Sequence, residues 1–374
     1  MVLEKEIECY EKARRWGIMK KYLVLLLISF VSNIIGKDTD MFSCKYGKTI
    51  EVSDQFIPGA QVEKVLLYSP LTQGSNQKIT RNGILVRYEN AKSTVVICHG
   101  LMCDKFDAGF LRSMFPQGTY NFMTFDFRGH GECAKGQRCT LGRDEALDVK
   151  TAAKFVKNHP LLKDQPVLAL AFSMGAVATI EAQANNPNLF KAMILDCPFD
   201  SSEKLIKRGL DHMKLSLCGY EFNIPGRELL QKYAFHPHVQ SMLKIVLKAI
   251  AHMDAHQIDV CICPISAEQS IQKVTIPCLF IHCRNDDKVT IDAIKSVYSG
   301  AQGYKKLWIT NGRRHFDSYF YNPERYVARV HSFFIKVLNG KYKENKKEKI
   351  IEDPSDSVVP LPLPTSNMIP MQAT

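Results

Sequence analysis

Ser173 stands at the middle of Ala171-Phe172-Ser173-Met174-Gly175, directly after the apolar run Val167-Leu168-Ala169-Leu170 and before the helix-prone stretch Ala176 to Asn185. This reads as a strand, a tight turn carrying a serine, and a helix. Small residues two before and two after the serine are what a strained strand-to-helix turn needs if the hydroxyl is to project above a sheet. A serine between a strand and a helix also serves as a plain N-cap, so the string alone does not establish chemistry. An unassisted hydroxyl is a poor nucleophile: it needs a base to take its proton and a third group to orient that base.

Both partners can be found downstream. Trp308-Ile309-Thr310-Asn311-Gly312-Arg313-Arg314-His315-Phe316 is a short strand, a turn and a histidine, which makes His315 the candidate general base. Pro277 to His282 reads as a buried strand that runs into the polar loop Cys283-Arg284-Asn285-Asp286-Asp287-Lys288-Val289. Asp286 is the natural acid to orient the base, with Asp287 as its neighbour and Asp196 and Asp200, near the end of an earlier strand, as further candidates. The order nucleophile, acid, histidine, each on a turn after a strand, is one of the convergent orders for this chemistry.

An oxyanion also needs donors. Thr94 to Cys98 is a strand entering His99-Gly100-Leu101, where glycine lets backbone N–H groups approach a ligand. The N–H groups of Leu101 and Met174 together form the expected oxyanion hole, with His99 structural. Phe125-Asp126-Phe127-Arg128-Gly129-His130-Gly131 invites a catalytic reading of Asp126 and His130. In so glycine-rich a turn, polar residues more often stiffen the loop through hydrogen bonds, and that is the role expected of both.

These residues must be held by a sheet. After residue 60 short β-rich runs alternate with helical patterns, the signature of a mostly parallel sheet covered on both faces. Eight strands are predicted: Val62 to Tyr68, Gly83 to Tyr88, Thr94 to Cys98, Tyr120 to Phe125, Val167 to Ala171, Ala192 to Asp196, Cys278 to His282 and Lys306 to Ile309. Residues 142 to 157 carry Ala146, Val149, Ala153 and Val156 at helical spacing. About seventy residues between Asp200 and Lys273, with Met242, Ile245, Val246, Ala249, Ile250 and Met253 on one face, read as a helical cap (about 201–273) over the sheet's C-terminal edge.

The chain has 374 residues and a formal net charge of +11. Six Lys/Arg against four Glu lie in residues 1–36, and five Lys against five acids in residues 341–374, so most of the excess belongs to the folded middle. Such a charge suits an anionic substrate or a negatively charged membrane surface. No zinc-finger spacing, aromatic-basic RNA-binding signature or basic heptad accompanies it, and no nucleic-acid partner is expected. Lys20-Lys21 followed by the apolar run Tyr22 to Ile35, ending at Gly36, matches a secretory signal or an anchor, with Met19 as a second candidate start. Export or membrane anchoring is therefore expected. Beyond Tyr342 the Lys/Glu-rich and then Pro/Ser/Thr-rich tail (341–374) is expected to be disordered.

Of the twelve cysteines, Cys98, Cys278 and Cys283 fall in or at the end of predicted buried strands. Cys133 and Cys139 bracket a short polar loop that an oxidising compartment could close by a disulfide. His236 and His238, with His252 and His256, could make a metal site on paper, but no Cys or carboxylate cluster joins them at ligand spacing. Neither metal nor cofactor is expected.

From about residue 60 to 340 the chain resembles an α/β-hydrolase-fold serine hydrolase, nearest the lysophospholipase-like and serine-aminopeptidase-like branches. The resemblance rests on His99-Gly100, Asp126 to Gly131, the Ser173 turn, Asp196-Cys197-Pro198-Phe199, Asp286 with Val289, and His315. Two departures stand out. Ala171 replaces the usual first glycine of the serine turn, and Arg313-Arg314 put bulk and positive charge before His315, where they would disfavour its protonated form or greet an anionic group. Ester hydrolysis of a small-molecule or lipid substrate through an acyl-enzyme is expected, with a peptidase or amidase and a silent binding protein of the same fold as alternatives. The cap would choose the substrate.

Overall fold

The computed structural model describes residues 42–53, 57–212, 214–217, 220–223, 226–236, 239, 259–342 and 350–354. The apolar run Tyr22 to Ile35, the helical face Met242 to Met253, and His238, His252 and His256 lie outside the described residues.

In chain order the strands are β1 (Ser43–Cys44), β2 (Gly47–Ser53), β3 (Ala60–Pro70), β4 (Lys78–Tyr88), β5 (Thr94–Cys98), β6 (Asn121–Phe125), β7 (Val167–Phe172), β8 (Ala192–Asp196), β9 (Lys214–Leu217), β10 (Tyr220–Asn223), β11 (Cys278–Cys283), β12 (Lys305–Thr310) and β13 (Ile350–Glu352). The α-helices are α1 (Lys105–Gly109), α2 (Glu145–Asn158), α3 (Met174–Ala184), α4 (Ser202–His212), α5 (Arg227–Lys232), α6 (Ala267–Ser270), α7 (Ile291–Gly300), α8 (Ser318–Tyr321) and α9 (Pro323–Leu338). One sheet runs β1-β2-β3-β4-β6-β5-β7-β8-β11-β12-β13, antiparallel from β1 through β4 and across to β6, parallel thereafter.

The sheet has eleven strands where eight were predicted, and the extra three are at its edges. β2 escapes prediction because Thr49, one of its inward residues, is polar; its hydroxyl donates to Glu63 Oε2 (3.0 Å) within the fold. β13 corrects the disordered reading of the tail. Ile350–Glu352 pair with β12, and Asp353 behind them accepts from Trp308 Nε1 (2.9 Å) and meets Arg325 (2.8 Å). Its flanking Lys/Glu-rich stretch hid this short apolar strand.

The fully buried β5, β7, β8 and β11 explain why continuous apolar runs, rather than alternation, mark the centre of the sheet. One face is covered by α2, α3 and α7, with Val149, Phe155, Val177, Ile180 and Val297 in its core. The other is covered by α9, whose Tyr326, Val330, Phe333, Phe334 and Val337 recur at helical spacing and pack with Phe115, Tyr120 and Phe122. Asn322 caps α9 by accepting from the Arg325 N–H (3.1 Å), and Pro323 sits where a missing N–H costs nothing.

The insertion after β8 is not purely helical. It contains α4 and α5 but also the β9–β10 hairpin, and it returns as an extended segment whose Val260 bridges Cys139. Cys139 carries a free, buried thiol 3.4 Å from Met174 Sδ, so the disulfide to Cys133 is not formed. Among the described residues no helix is long and apolar enough to cross a membrane.

Candidate active site

The connection from β5 leads outward to β6, whereas β7 pairs on the opposite side of β5. Where a doubly wound sheet reverses its order, the loops at the strand C-termini splay apart and leave a crevice. The His99 loop after β5 and the Ser173 turn after β7 flank that crevice. It opens into a cavity of about 750 Å³ lined by both segments and by His315 and Phe316.

Ser173 has φ +50° and ψ −118°, a conformation that non-glycine residues rarely take, and it lifts the hydroxyl clear of the strand. The first turn of α3 holds it there, because the Ser173 carbonyl accepts from the N–H groups of Ala176 (3.0 Å) and Val177 (3.1 Å). Gly175 has to be glycine for a reason of space: a Cβ there would stand 2.3 Å from the His99 carbonyl oxygen. Ala171, buried within β7, takes the position of the usual first glycine without disturbing the strand pairing to β5 and β8.

The structure brings Ser173, His315 and Asp286 into one chain of hydrogen bonds. His315 Nε2 lies 2.9 Å from Ser173 Oγ and Nδ1 lies 2.7 Å from Asp286 Oδ2. Asp286 is set by the turn after β11, where its other oxygen accepts from the Lys288 and Val289 N–H groups, both at 2.8 Å. Burial works against its charge, yet the hydrogen bond and charge of His315, with His282 and the Val289 N–H, hold its pKa below the ordinary carboxylate value. An ionised carboxylate at Nδ1 keeps the proton on that nitrogen and leaves Nε2 free to accept from the serine.

Of the other candidate acids, Asp200 and Asp196 are committed elsewhere. Asp200 is clamped by both terminal nitrogens of Arg208 (2.7 and 2.9 Å), and Asp287 lines the cavity. Asp196 accepts from Tyr326 Oη (2.7 Å) and Cys197 Sγ (3.2 Å). Its full burial pushes its pKa up to about 6, against the lowering effect of those two hydrogen bonds. Because the folded chain holds this proton more tightly than the unfolded one, Asp196 does not weaken the fold below the ordinary value of 3.8 and costs stability as pH rises to about 6. Asp196→Asn, which keeps an acceptor for Tyr326, should therefore gain on the wild type by roughly 2–3 kcal/mol between pH 4 and pH 7 in urea unfolding. Parallel stability profiles for the two proteins would refute this.

Leu101 and Met174 both line the cavity beside Ser173. The neighbouring backbone hydrogen bonds include those donated by Cys103, Ala176 and Val177. Two histidines shape this corner as neutral rings. His99 Nε2 accepts from Phe127 N–H (3.0 Å) while Nδ1 is 2.7 Å from the Gly100 carbonyl, and His130 Nε2 accepts from Met102 N–H (3.3 Å) with Nδ1 2.9 Å from the Arg128 carbonyl. Burial drives His99 down to about 3 and lowers His130. Asp126 pairs with Lys105 through Nζ (2.9 Å) and backbone N (2.8 Å), and Arg128 with Asp148 (2.8 Å). The glycine-rich turn is thus a bracket for the His99 loop.

Arg313 and Arg314 do not reach the cavity; Arg313 turns to Asp317 at 3.0 Å. The cations that do line it are Arg208, from α4, and Lys288, beside Asp286. Neither was singled out in the sequence, because Arg208 lies in the cap insertion with no motif around it. The remaining wall is largely apolar, including Met102, Phe110, Leu111, Phe172, Phe199, Leu205, Val260, Phe316 and Phe320.

Residues 89–241 match the serine aminopeptidase S33 family. An uncharacterised Bacillus subtilis (strain 168) protein, YqkD, is 25% identical over 320 residues, covering 85% of this chain and 91% of that protein. Among solved structures, the Pyrococcus furiosus esterase Pf2001 superposes with a TM-score of 0.54 at 18% identity, covering 79% of this chain and 98% of that one. The Saccharomyces cerevisiae peroxisomal alpha-beta-hydrolase Lpx1 gives 0.51 at 13% identity, covering 78% and 93%. The fold is that of the α/β-hydrolases.

Proposed function

We propose that this α/β-hydrolase is a serine esterase that cleaves an acyl ester through a covalent acyl-serine. The observation that carries the reading is the unbroken chain from Ser173 Oγ to His315 (2.9 Å) to Asp286 (2.7 Å) at the mouth of a cavity. Ser173 Oγ attacks the carbonyl as its proton passes to His315 Nε2, and Asp286 stabilises the imidazolium through Nδ1. The oxyanion is received by the N–H groups of Leu101 and Met174. His315 then hands the proton to the leaving alcohol, and a water molecule, deprotonated by the same nitrogen, releases the acid. No cofactor enters this scheme.

The apolar wall favours an acyl chain over a charged peptide N-terminus. Of the two carboxylates in the lining, Asp107 accepts from the Asp104 N–H (3.1 Å) in the cap of α1, which leaves Asp287 as the acid facing an amine. The same reading places a lipid or small-molecule ester in the cavity and the protein at or beyond a membrane surface, on the strength of the apolar run Tyr22 to Ile35. A panel of p-nitrophenyl esters of increasing acyl length, set against aminoacyl anilides, tests the substrate class. Esters should be turned over with kcat/KM rising with chain length until the cavity is filled; faster cleavage of the anilides would replace the esterase with a peptidase.

A further inference from the structure

Cys197 directly follows β8 in a left-handed conformation, φ +52°, and is fully buried. Its Sγ, a carboxylate oxygen of Asp286 and a ring nitrogen of His315 all lie within 4.8 Å of one another. Thiolate, imidazole and carboxylate are a ligand set for zinc and similar borderline-soft divalent ions, and a poor one for magnesium or calcium. Three protein ligands leave a fourth position open, and His315, with 16% of its side chain exposed, gives a way in from the cavity.

We propose that Cys197, Asp286 and His315 form an inhibitory zinc site, in which the ion takes the place of the proton shared by Asp286 Oδ2 and His315 Nδ1. Those two atoms are 2.7 Å apart. Ligand bonds of about 2.0–2.2 Å at a tetrahedral angle need about 3.3–3.5 Å between donor atoms. The ring must therefore withdraw by less than 1 Å. His315 lies in the loop 311–317 rather than in a helix or strand, where such a shift does not break a ladder.

The chemistry balances without a redox partner. Cys197 loses its thiol proton to solvent and binds as thiolate. The Nδ1 proton of the neutral imidazole moves to Nε2 as the metal occupies the Nδ1 lone pair. Nε2 then faces Ser173 as a donor, so the ring can no longer accept the serine proton. Inhibition comes from the wrong tautomer, with the nucleophile itself untouched. The inhibitory half of this inference rests on the esterase reading; the binding half does not.

Cobalt(II), a spectroscopic stand-in for zinc, tests the binding half on the full-length protein kept reduced with a phosphine. One equivalent should produce a thiolate-to-cobalt charge-transfer band in the near ultraviolet, bleached by added zinc. The band should appear equally in Ser173→Ala, which keeps all three ligands, and vanish in Cys197→Ser and Cys197→Ala, with circular dichroism reporting whether each variant folds. Cys261 and Cys263, whose sulfurs stand 4.0 Å apart, are the rival thiols, and Cys261→Ser/Cys263→Ser should retain the band. No band in the wild type, or a band that survives in both folded Cys197 variants, overturns the site. For the inhibitory half, saturating zinc should slow fluorophosphonate labelling of Ser173 by about tenfold or more in the wild type and not in Cys197→Ser. Labelling at the same rate with a metal-loaded wild type would sink inhibition while leaving binding intact, and no labelling of metal-free wild type would sink the esterase reading alone.

Discussion

Ser173→Ala should lose ester hydrolysis by about 10⁵–10⁶-fold in kcat, with little change in KM. The size follows from the role: without the hydroxyl no acyl-enzyme forms, and His315 and Asp286, however well placed, have no nucleophile to activate. Residual turnover of roughly 10³-fold over water is expected from the oxyanion donors and binding alone. The measurement is kcat on a short-chain p-nitrophenyl ester together with fluorophosphonate labelling. Labelling confined to Ser173 and lost in the variant fits; a variant within about tenfold of wild type would remove the nucleophile from the scheme. The backbone at this position already carries an unfavourable conformation for a side chain (φ +50°), so alanine should fold as the serine does.

Asp286→Asn and Asp196→Asn form the second test, because two buried carboxylates stand near the same histidine. Asp286 accepts from His315 Nδ1 and from two backbone N–H groups, whereas Asp196 is taken up by Tyr326 and Cys197. An asparagine at 286 can present its amide N–H to Nδ1 and so favour the tautomer that carries its proton on Nε2. The expected loss in kcat is about 10⁴-fold, with geometry nearly unchanged. Asp196→Asn should stay within about threefold, since it alters only a more remote charge. Comparable losses in the two variants would mean that the carboxylates share the role.

The central strands and the order of the site residues were legible in the sequence because buried parallel strands write themselves as unbroken apolar runs closed by polar turns. Val167 to Leu170, Ala192 to Leu195 and Cys278 to Ile281 are such runs, and each is followed within a few residues by a residue of the site region: Ser173, Asp196 and Asp286. What was illegible depended on distance or on company. Nothing near Tyr326 announces that it will cap Asp196, 130 residues earlier, and Lys105 meets Asp126 only once β5 and β6 are paired. β2 hid behind a polar inward residue, and β13 behind its Lys/Glu-rich neighbours. Arg313 and Arg314 misled because adjacency to His315 in the chain was read as adjacency in space, while Arg313 folds back on Asp317.

Among the described residues five non-glycine residues have positive φ; Met102, Leu141, Ser173 and Phe316 line this one cavity, and the fifth, Cys197, is buried directly after β8. Each such residue costs on the order of 1–3 kcal/mol relative to a relaxed backbone. The surrounding strands, buried on both faces, hold them in place. This end of the sheet therefore behaves as a loaded spring set in a rigid frame, and on the proposed function stability and activity are opposed there: glycine at these positions would relax the chain at the same stroke that loosened the groups aimed into the crevice. Selection for a hardier protein would spend its changes at the opposite end of the strands.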